Sequence, residues 1–336
     1  MVSIASRLRS RTIRRWFTAG MLVALPAATM LSVSSSAQAE PYPTRTVTIV
    51  TPFAAGSQTD AAARLVAQYL QDALGHPFVV ENKPGANGLI AASTVARSHP
   101  DGYTLLLTTN STHSAIALYK NVPYDPIKDF TPIARIGNFP SFVAVNLDVK
   151  ASSMAELIAL AKANPGKLTY GAGNSTGYVV GETIKKRTGT DIVRVSYRSN
   201  PFAMSDLIAG HIQMMIPDMT TGLPQVKAGK IRPLAALTKE RLTFLPDLPT
   251  LDETVMPGFE SLAWAGMFAP ADTPPEIVNK IADEVHTMLT SPEMIERFSR
   301  PGIQVMWSGP QDFSAFVKSE LVKWTETIKE AGIAPE

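Results

Sequence analysis

From residue 47 onward, apolar positions switch repeatedly between two periods. Val47-Thr48-Ile49-Val50 is a short β-type run, and an amphipathic stretch over 60–74 predicts a helix stopped by Gly75. The switch recurs along the chain. Strand-like runs fall at 78–80, 103–108, 168–170, 192–195 and 212–216, with helical patterns at 89–98, 153–163, 178–187 and 201–209. Such alternation predicts a largely parallel α/β architecture with right-handed crossovers.

The final third reads differently. Pro246, Pro249 and Pro257 favour extended or turn structure over 242–258. A strand is expected at 264–268, a Pro-rich turn at 269–275, and helices at 275–289, 292–300 and 310–329. In the last helix Phe313, Phe316, Val317, Leu321, Trp324 and Ile328 recur at spacings of three and four, which makes one buried stripe. Met214-Met215 and the 264–268 run read as core rather than cofactor contacts.

The first 39 residues follow neither period. Arg7, Arg9, Arg11, Arg14 and Arg15 stand without any acid before an apolar run over 19–33, and Ala37-Gln38-Ala39 precedes Glu40. That order predicts a cleavable export signal, secretory or, from Arg14-Arg15-Trp16-Phe17, twin-arginine. The apolar run is too short for a permanent anchor and contains Pro26. Cleavage would remove five bases and no acid, taking the net charge from +2 to −3 over the remaining 297 residues. No basic stripe for nucleic acid survives, so the expected product is an exported monomer that binds no nucleic acid.

Other classes fall away on composition. At 336 residues two domains are expected, and an 18% charged fraction excludes a wholly disordered chain. Without cysteine there is no disulfide, thiolate metal site or cysteine nucleophile. His76, His99, His113, His211 and His286 are scattered, without the spacings that bind metal, so no metal or cofactor is expected. His113 stays of interest because it follows Thr108-Thr109-Asn110-Ser111-Thr112 at a strand end, a run that also makes Asn110 a candidate ligand residue.

Three strand-to-helix turns carry the candidate chemistry, because helix N-termini present unpaired N–H groups there. The first spans Phe53, Ala54, Ala55, Gly56, Ser57, Gln58, Thr59 and Asp60. Ser57 or Thr59 could cap the helix or donate to an anion, or the turn is a simple helix cap closed by Thr59 or Asp60. The second, Gly171-Ala172-Gly173-Asn174-Ser175-Thr176-Gly177, admits three readings. A dinucleotide fingerprint is one residue off spacing, and Asp191 precedes its strand rather than following it. A nucleophile elbow at Ser175 would take Asp206 or Asp218 and His211 or His286 as partners. A cradle of backbone N–H groups with the Ser175 and Thr176 hydroxyls needs no further partner. In the third turn Tyr197 could wall a ligand and Arg198 could grip a carboxylate, or Arg198 is an exposed loop residue; Ser199 follows. Asp218, after the 212–216 run, either orients a donor or water or caps the next helix.

Taken together these motifs resemble the extracytoplasmic solute-binding proteins of tripartite tricarboxylate transporters, the Bug-type receptors. The matching segments include Pro52-Phe53 through Asp60, Glu81-Asn82-Lys83-Pro84-Gly85, Pro100-Asp101-Gly102-Tyr103-Thr104, Lys128-Asp129-Phe130-Thr131-Pro132 and Pro246-Asp247-Leu248-Pro249-Thr250. The likeness runs over essentially all of the chain after the signal. It implies a type II periplasmic-binding-protein fold, two α/β domains joined by crossing hinge strands with a ligand cleft between them. The implied boundaries are 1–39 for the signal peptide, 40–136 plus 265–336 for domain 1, and 137–264 for domain 2. The three turns are where the family contacts ligand. Here the usual Gly-Gly-Ser of the first loop is Gly56-Ser57-Gln58, the second loop is shorter with Tyr178 near a usual His, and Val195-Ser196-Tyr197-Arg198-Ser199 departs from Val-Pro-Tyr-Lys-Gly.

The resulting expectation is a non-catalytic periplasmic receptor. It would capture a small carboxylate, aromatic or dicarboxylate among the options, and deliver it to a membrane permease. The alternatives are a serine hydrolase using Ser175 and a sensor subunit presenting ligand to a membrane kinase.

Overall fold

The computed structural model describes residues 42–336, and the expected export signal lies outside the described residues. The strands are β1 (Val47–Thr51), β2 (Phe78–Asn82), β3 (Thr104–Thr109), β4 (Phe130–Phe139), β5 (Phe142–Asn146), β6 (Thr169–Ala172), β7 (Val193–Ser196), β8 (Met214–Met215), β9 (Ile231–Ala236), β10 (Ala263–Pro270) and β11 (Gln304–Ser308). The helices are α1 (Gln58–Leu74), α2 (Leu89–Ala96), α3 (Asn110–Leu118), α4 (Met154–Ala163), α5 (Ser175–Thr188), α6 (Asn200–Ala209), α7 (Met219–Lys227), α8 (Leu251–Thr254), α9 (Pro275–Thr290), α10 (Pro292–Ser299) and α11 (Pro310–Glu330). Among the described residues no helix is long and apolar enough to cross a membrane.

Two sheets organise these elements. One runs β11-β4-β10-β3-β1-β2 and the other β7-β6-β8-β5-β9. The strands that end in the candidate turns pair in parallel: β1 with β2 and β3, and β6 with β7 and β8. The sheets are mixed rather than largely parallel, because β10 runs antiparallel to β3 and β4, and β5 antiparallel to β8 and β9. The antiparallel strands are those beside the passages between sheets. Only Pro140 and Ser141 separate β4 from β5. The return at 237–262 lies beside this passage, with Leu237 N–H donating to Ser141 O and Ser261 N–H to Leu237 O.

Helices cover both faces of each sheet, which is why β1, β3 and β10 are near-continuous apolar runs rather than alternating ones. Ile49, Leu105 and Met267 pack with Val66 of α1 and Val285 of α9; on the opposite face Val50, Leu106 and Phe268 pack with Ala91 of α2 and Phe313 of α11. In the second sheet Val143 and Met214 face Leu157 of α4 and Ile184 of α5, while Phe142 and Met215 face Leu207 of α6 and Leu223 of α7. Four of the six residues of the expected α11 stripe are buried, Phe316 and Leu321 being half-buried, and the stripe divides its contacts. Phe313 and Val317 lie in the first core and Trp324 and Ile328 in the second. Met214 and Met215 are fully buried, as expected for core residues.

Candidate functional site

Five helices begin around one cavity between the two lobes. Phe53, Ser57, Gln58 and Thr59 reach it from the β1–α1 turn, and Thr109 from the end of β3. Asn174 and Thr176 come from the β6–α5 turn, Ser199 and Asn200 from the start of α6, and Asp218 from the start of α7. Phe139, Ser141 and Ala263 close it at the passages between sheets. The space among these residues, open solvent included, is about 370 Å³, of which about 20 Å³ is room for water-sized groups.

The caps determine which polar groups remain for a ligand. Ser57, not Thr59 or Asp60, is the N-cap of α1, and its Oγ accepts from Asp60 N–H at 3.2 Å. Asn174 caps α5, its Oδ1 accepting from Gly177 N–H at 2.8 Å. A helix's first N–H groups have no intrahelical partner. With the third N–H of each helix taken by the cap, those of Gln58 and Thr59 in α1 and of Ser175 and Thr176 in α5 remain. The two helix N-termini lie on opposite lobes and carry partial positive charge. Four buried side-chain atoms around this space also lack a hydrogen-bond partner: Gln58 Oε1, Asn110 Oδ1, Ser175 Oγ and Asn200 Oδ1.

Each turn is held by its own network. Asp60 Oδ2 accepts from Gly56 N–H and from Arg64 Nε, both at 3.0 Å, and its Oδ1 accepts from Asn82 Nδ2 at 3.0 Å. Burial raises the Asp60 carboxyl, but Arg64, Gly56 and Asn82 outweigh it and hold the group below the ordinary range. Gly173 permits close approach of α6, since a Cβ there would come within 2.4 Å of Asn200 N. Asp218 caps α7 through Thr221 N–H at 2.8 Å and also accepts from Asn200 Nδ2 at 2.7 Å. Burial pushes its carboxyl up, against the pull of Asn200 and Thr221.

Several sequence candidates stand elsewhere. Ala55 and Gly56 are exposed on the outer side of the first turn, and Asp60 serves the turn's internal network. Asn110 is buried behind the cavity, with Nδ2 3.4 Å from Thr176 Oγ1. Tyr197 and Arg198 line a second cavity, together with Tyr119, Tyr178, Arg194 and Glu336, and Asn174 borders both cavities. Tyr197 is tied down: its OH donates to Asp206 Oδ2 at 2.6 Å, and burial together with Asp206 pushes the phenol up to about 12. Arg198 is exposed. Thr109, Phe139, Ser141, Asn200 and Ala263 were not expected in the wall. Of these only Asn200 left a local signal, as an Asn-Pro pair at a helix start.

The nucleophile-elbow reading fails on geometry. Ser175 is fully buried and its Oγ has no partner. Asp218 bonds Asn200 and Thr221, His211 is exposed beside Asp206, and His286 is exposed and stacked on Trp307. Among the described residues no histidine is bonded to Ser175 Oγ. His113 is no ligand residue either, since its ring is buried among core aromatics. Among the described residues no cluster of three His, Asp or Glu side chains could hold a metal ion.

Comparison with known proteins places this arrangement among relatives. Residues 62–333 match the model of the tripartite tricarboxylate transporter family receptor. Protein BugT of Bordetella pertussis is 32% identical over 304 residues, covering 89% of this chain and 93% of BugT. The solved structure of R. palustris Rpa4515 with adipate superimposes with a TM-score of 0.85 at 36% identity, over 88% of this chain and 100% of that one. The periplasmic binding protein BugD gives a TM-score of 0.84 at 34% identity, over 88% of this chain and 100% of BugD.

Proposed function

The chain belongs to the tripartite tricarboxylate transporter receptor family, whose members are periplasmic substrate-binding receptors rather than enzymes, and we propose that its cleft grips a ligand carboxylate between the N-termini of α1 and α5. Its ligand is a small carboxylate, and its fold is that of the family's periplasmic binding proteins. The observation that carries the grip is the pair of facing N-termini with their N–H groups unpaired by the caps. A carboxylate is an acceptor on both oxygens and satisfies donors from both lobes at once, which favours closure. Phe53, Ser57, Gln58, Thr59, Asn174, Ser175, Thr176 and Ser199 are the residues we assign to this grip, and Asn200 joins them. Asp218 acts through Asn200 and the cap of α7.

In this reading the lobes are 40–136 plus 265–336 and 137–264, and the chain crosses between them near 132–145 and 261–268. Residues 1–39 direct export, and a membrane permease of the tripartite type receives the ligand. A thermal-shift screen with mono-, di- and tricarboxylates, aromatic acids, amides and amino acids tests the proposal. A ligand at 100 times its dissociation constant adds about 2.7 kcal/mol of stability. A carboxylate hit recovered chemically unchanged supports the receptor. No response to any carboxylate, or a ligand consumed on incubation, contradicts it.

A further inference from the structure

Gln58 holds the position where the anion grip meets a group of opposite hydrogen-bonding character. It is 1% exposed, begins α1 and faces the cavity. Its Nε2 donates to Gly302 O at 3.2 Å and lies 3.5 Å from Pro301 O. Carbonyl oxygens only accept, so this contact fixes which end of the amide is which. The nitrogen is committed to the 301–302 loop, and Oε1 is left buried without a partner. Opposite, Asn200 repeats the arrangement: Nδ2 is committed to Asp218 Oδ2 at 2.7 Å, and Oδ1 is buried without a partner.

Two amide oxygens, one from each lobe, therefore remain as unpaired acceptors on residues that line the cavity. A carboxylate cannot satisfy them, because it has no hydrogen to give. Leaving buried acceptors unpaired is unfavourable. We infer that Gln58 Oε1 selects ligands bearing a hydroxyl or ammonium donor next to the carboxylate. Asn200 Oδ1 accepts from the same group or from its neighbour on the ligand. The inference rests on the carboxylate-receptor reading and names the class of acid within it.

Titration calorimetry on the purified protein tests it with acids matched in skeleton. The series are propionate, lactate and alanine; succinate, malate and aspartate; and glutarate, 2-hydroxyglutarate and glutamate. In the tightest-binding series the hydroxy or amino member should bind at least about tenfold more tightly than the unsubstituted acid, since a site built around a hydrogen bond rejects the analogue lacking it. Gln58→Met keeps the length of the side chain without its acceptor. It should bring that ratio close to one, whatever it does to the absolute affinities. Should Gln58→Met fail to fold, Gln58→Ser should give the same collapse. Acids that bind without discrimination, or discrimination that persists in the variant, overturn the role of Gln58 alone. Failure of every acid to bind overturns the carboxylate reading and this one together.

Discussion

Ser199 Oγ accepts from the backbone N–H of Ala54 at 3.2 Å, joining residues 145 apart and on opposite lobes. Ser199 is the N-cap of α6, where a serine hydroxyl ordinarily accepts from its own helix; here that bond is absent. The hydroxyl serves the interlobe contact instead. Removing it in Ser199→Ala should weaken ligand binding about fivefold, the equivalent of about 1 kcal/mol for one hydrogen bond. Calorimetry with the best carboxylate checks this, and unchanged affinity would show that the contact plays no part in closure.

A second interlobe contact joins α7 to the 301–302 loop. Thr220 Oγ1 donates to Pro301 O at 2.7 Å, and Gly302, at φ +77°, would place a Cβ 2.3 Å from Met219 Cβ. Gly302→Ala therefore meets both backbone strain and a clash with α7. We expect a stability loss of about 1–3 kcal/mol and lobes held apart. Small-angle scattering with saturating ligand should give a larger radius of gyration than the parent protein, and an equal radius would refute the wedge.

Asp60 anchors the first turn rather than the ligand. Asp60→Ala removes the acceptor of Gly56 N–H and of Arg64 and leaves the Asn82 amide only its bond to Phe53 O, so melting should fall by the equivalent of about 2 kcal/mol. Ligand affinity should fall with it as residues 54–57 loosen. A variant with the parent's melting temperature would contradict this role.

His113 predicts an acid-sensitive core. Its ring packs against Trp264 and Phe268 at centroid distances of 5.2 and 4.9 Å, and burial drives its imidazole from the usual 6.5 down to about 4. The unfolded chain binds this proton first. The contribution is therefore intact above pH 6.5 and is lost as pH falls toward 4, reaching roughly 3 kcal/mol at most. Denaturant midpoints measured between pH 7 and 4 should fall less steeply in His113→Leu than in the parent. Parallel slopes would exclude His113 as the source.

The periodic elements were legible because local pattern decides them. Helix α9 spans Pro275–Thr290 against an expected 275–289, and β1 covers the Val47–Val50 run. Helix α5 starts at Ser175, three residues ahead of expectation, because the Asn174 side chain recruits Ser-Thr-Gly, residues with little helix preference of their own. Helix α3 escaped notice altogether. Its Asn110, Ser111, Thr112, His113 and Ser114 are all buried, so polarity gave no amphipathic contrast. At the cavity the turns were found, but not which way their residues face. Ser199 lines the cavity while its neighbour Arg198 lines the next one, and the partner of Gln58 lies 244 residues away. Those facts belong to tertiary packing, which no local spacing encodes.

The crystal structure of the protein with its best carboxylate ligand tests the central claim most directly. One ligand carboxylate should lie between α1 and α5, within hydrogen-bonding distance (about 3 Å, or one bridging water) of N–H groups from both Gln58–Thr59 and Ser175–Thr176. A ligand seated instead in the outer cavity beside Arg194 and Arg198, with the space between the two N-termini left to solvent, would contradict it.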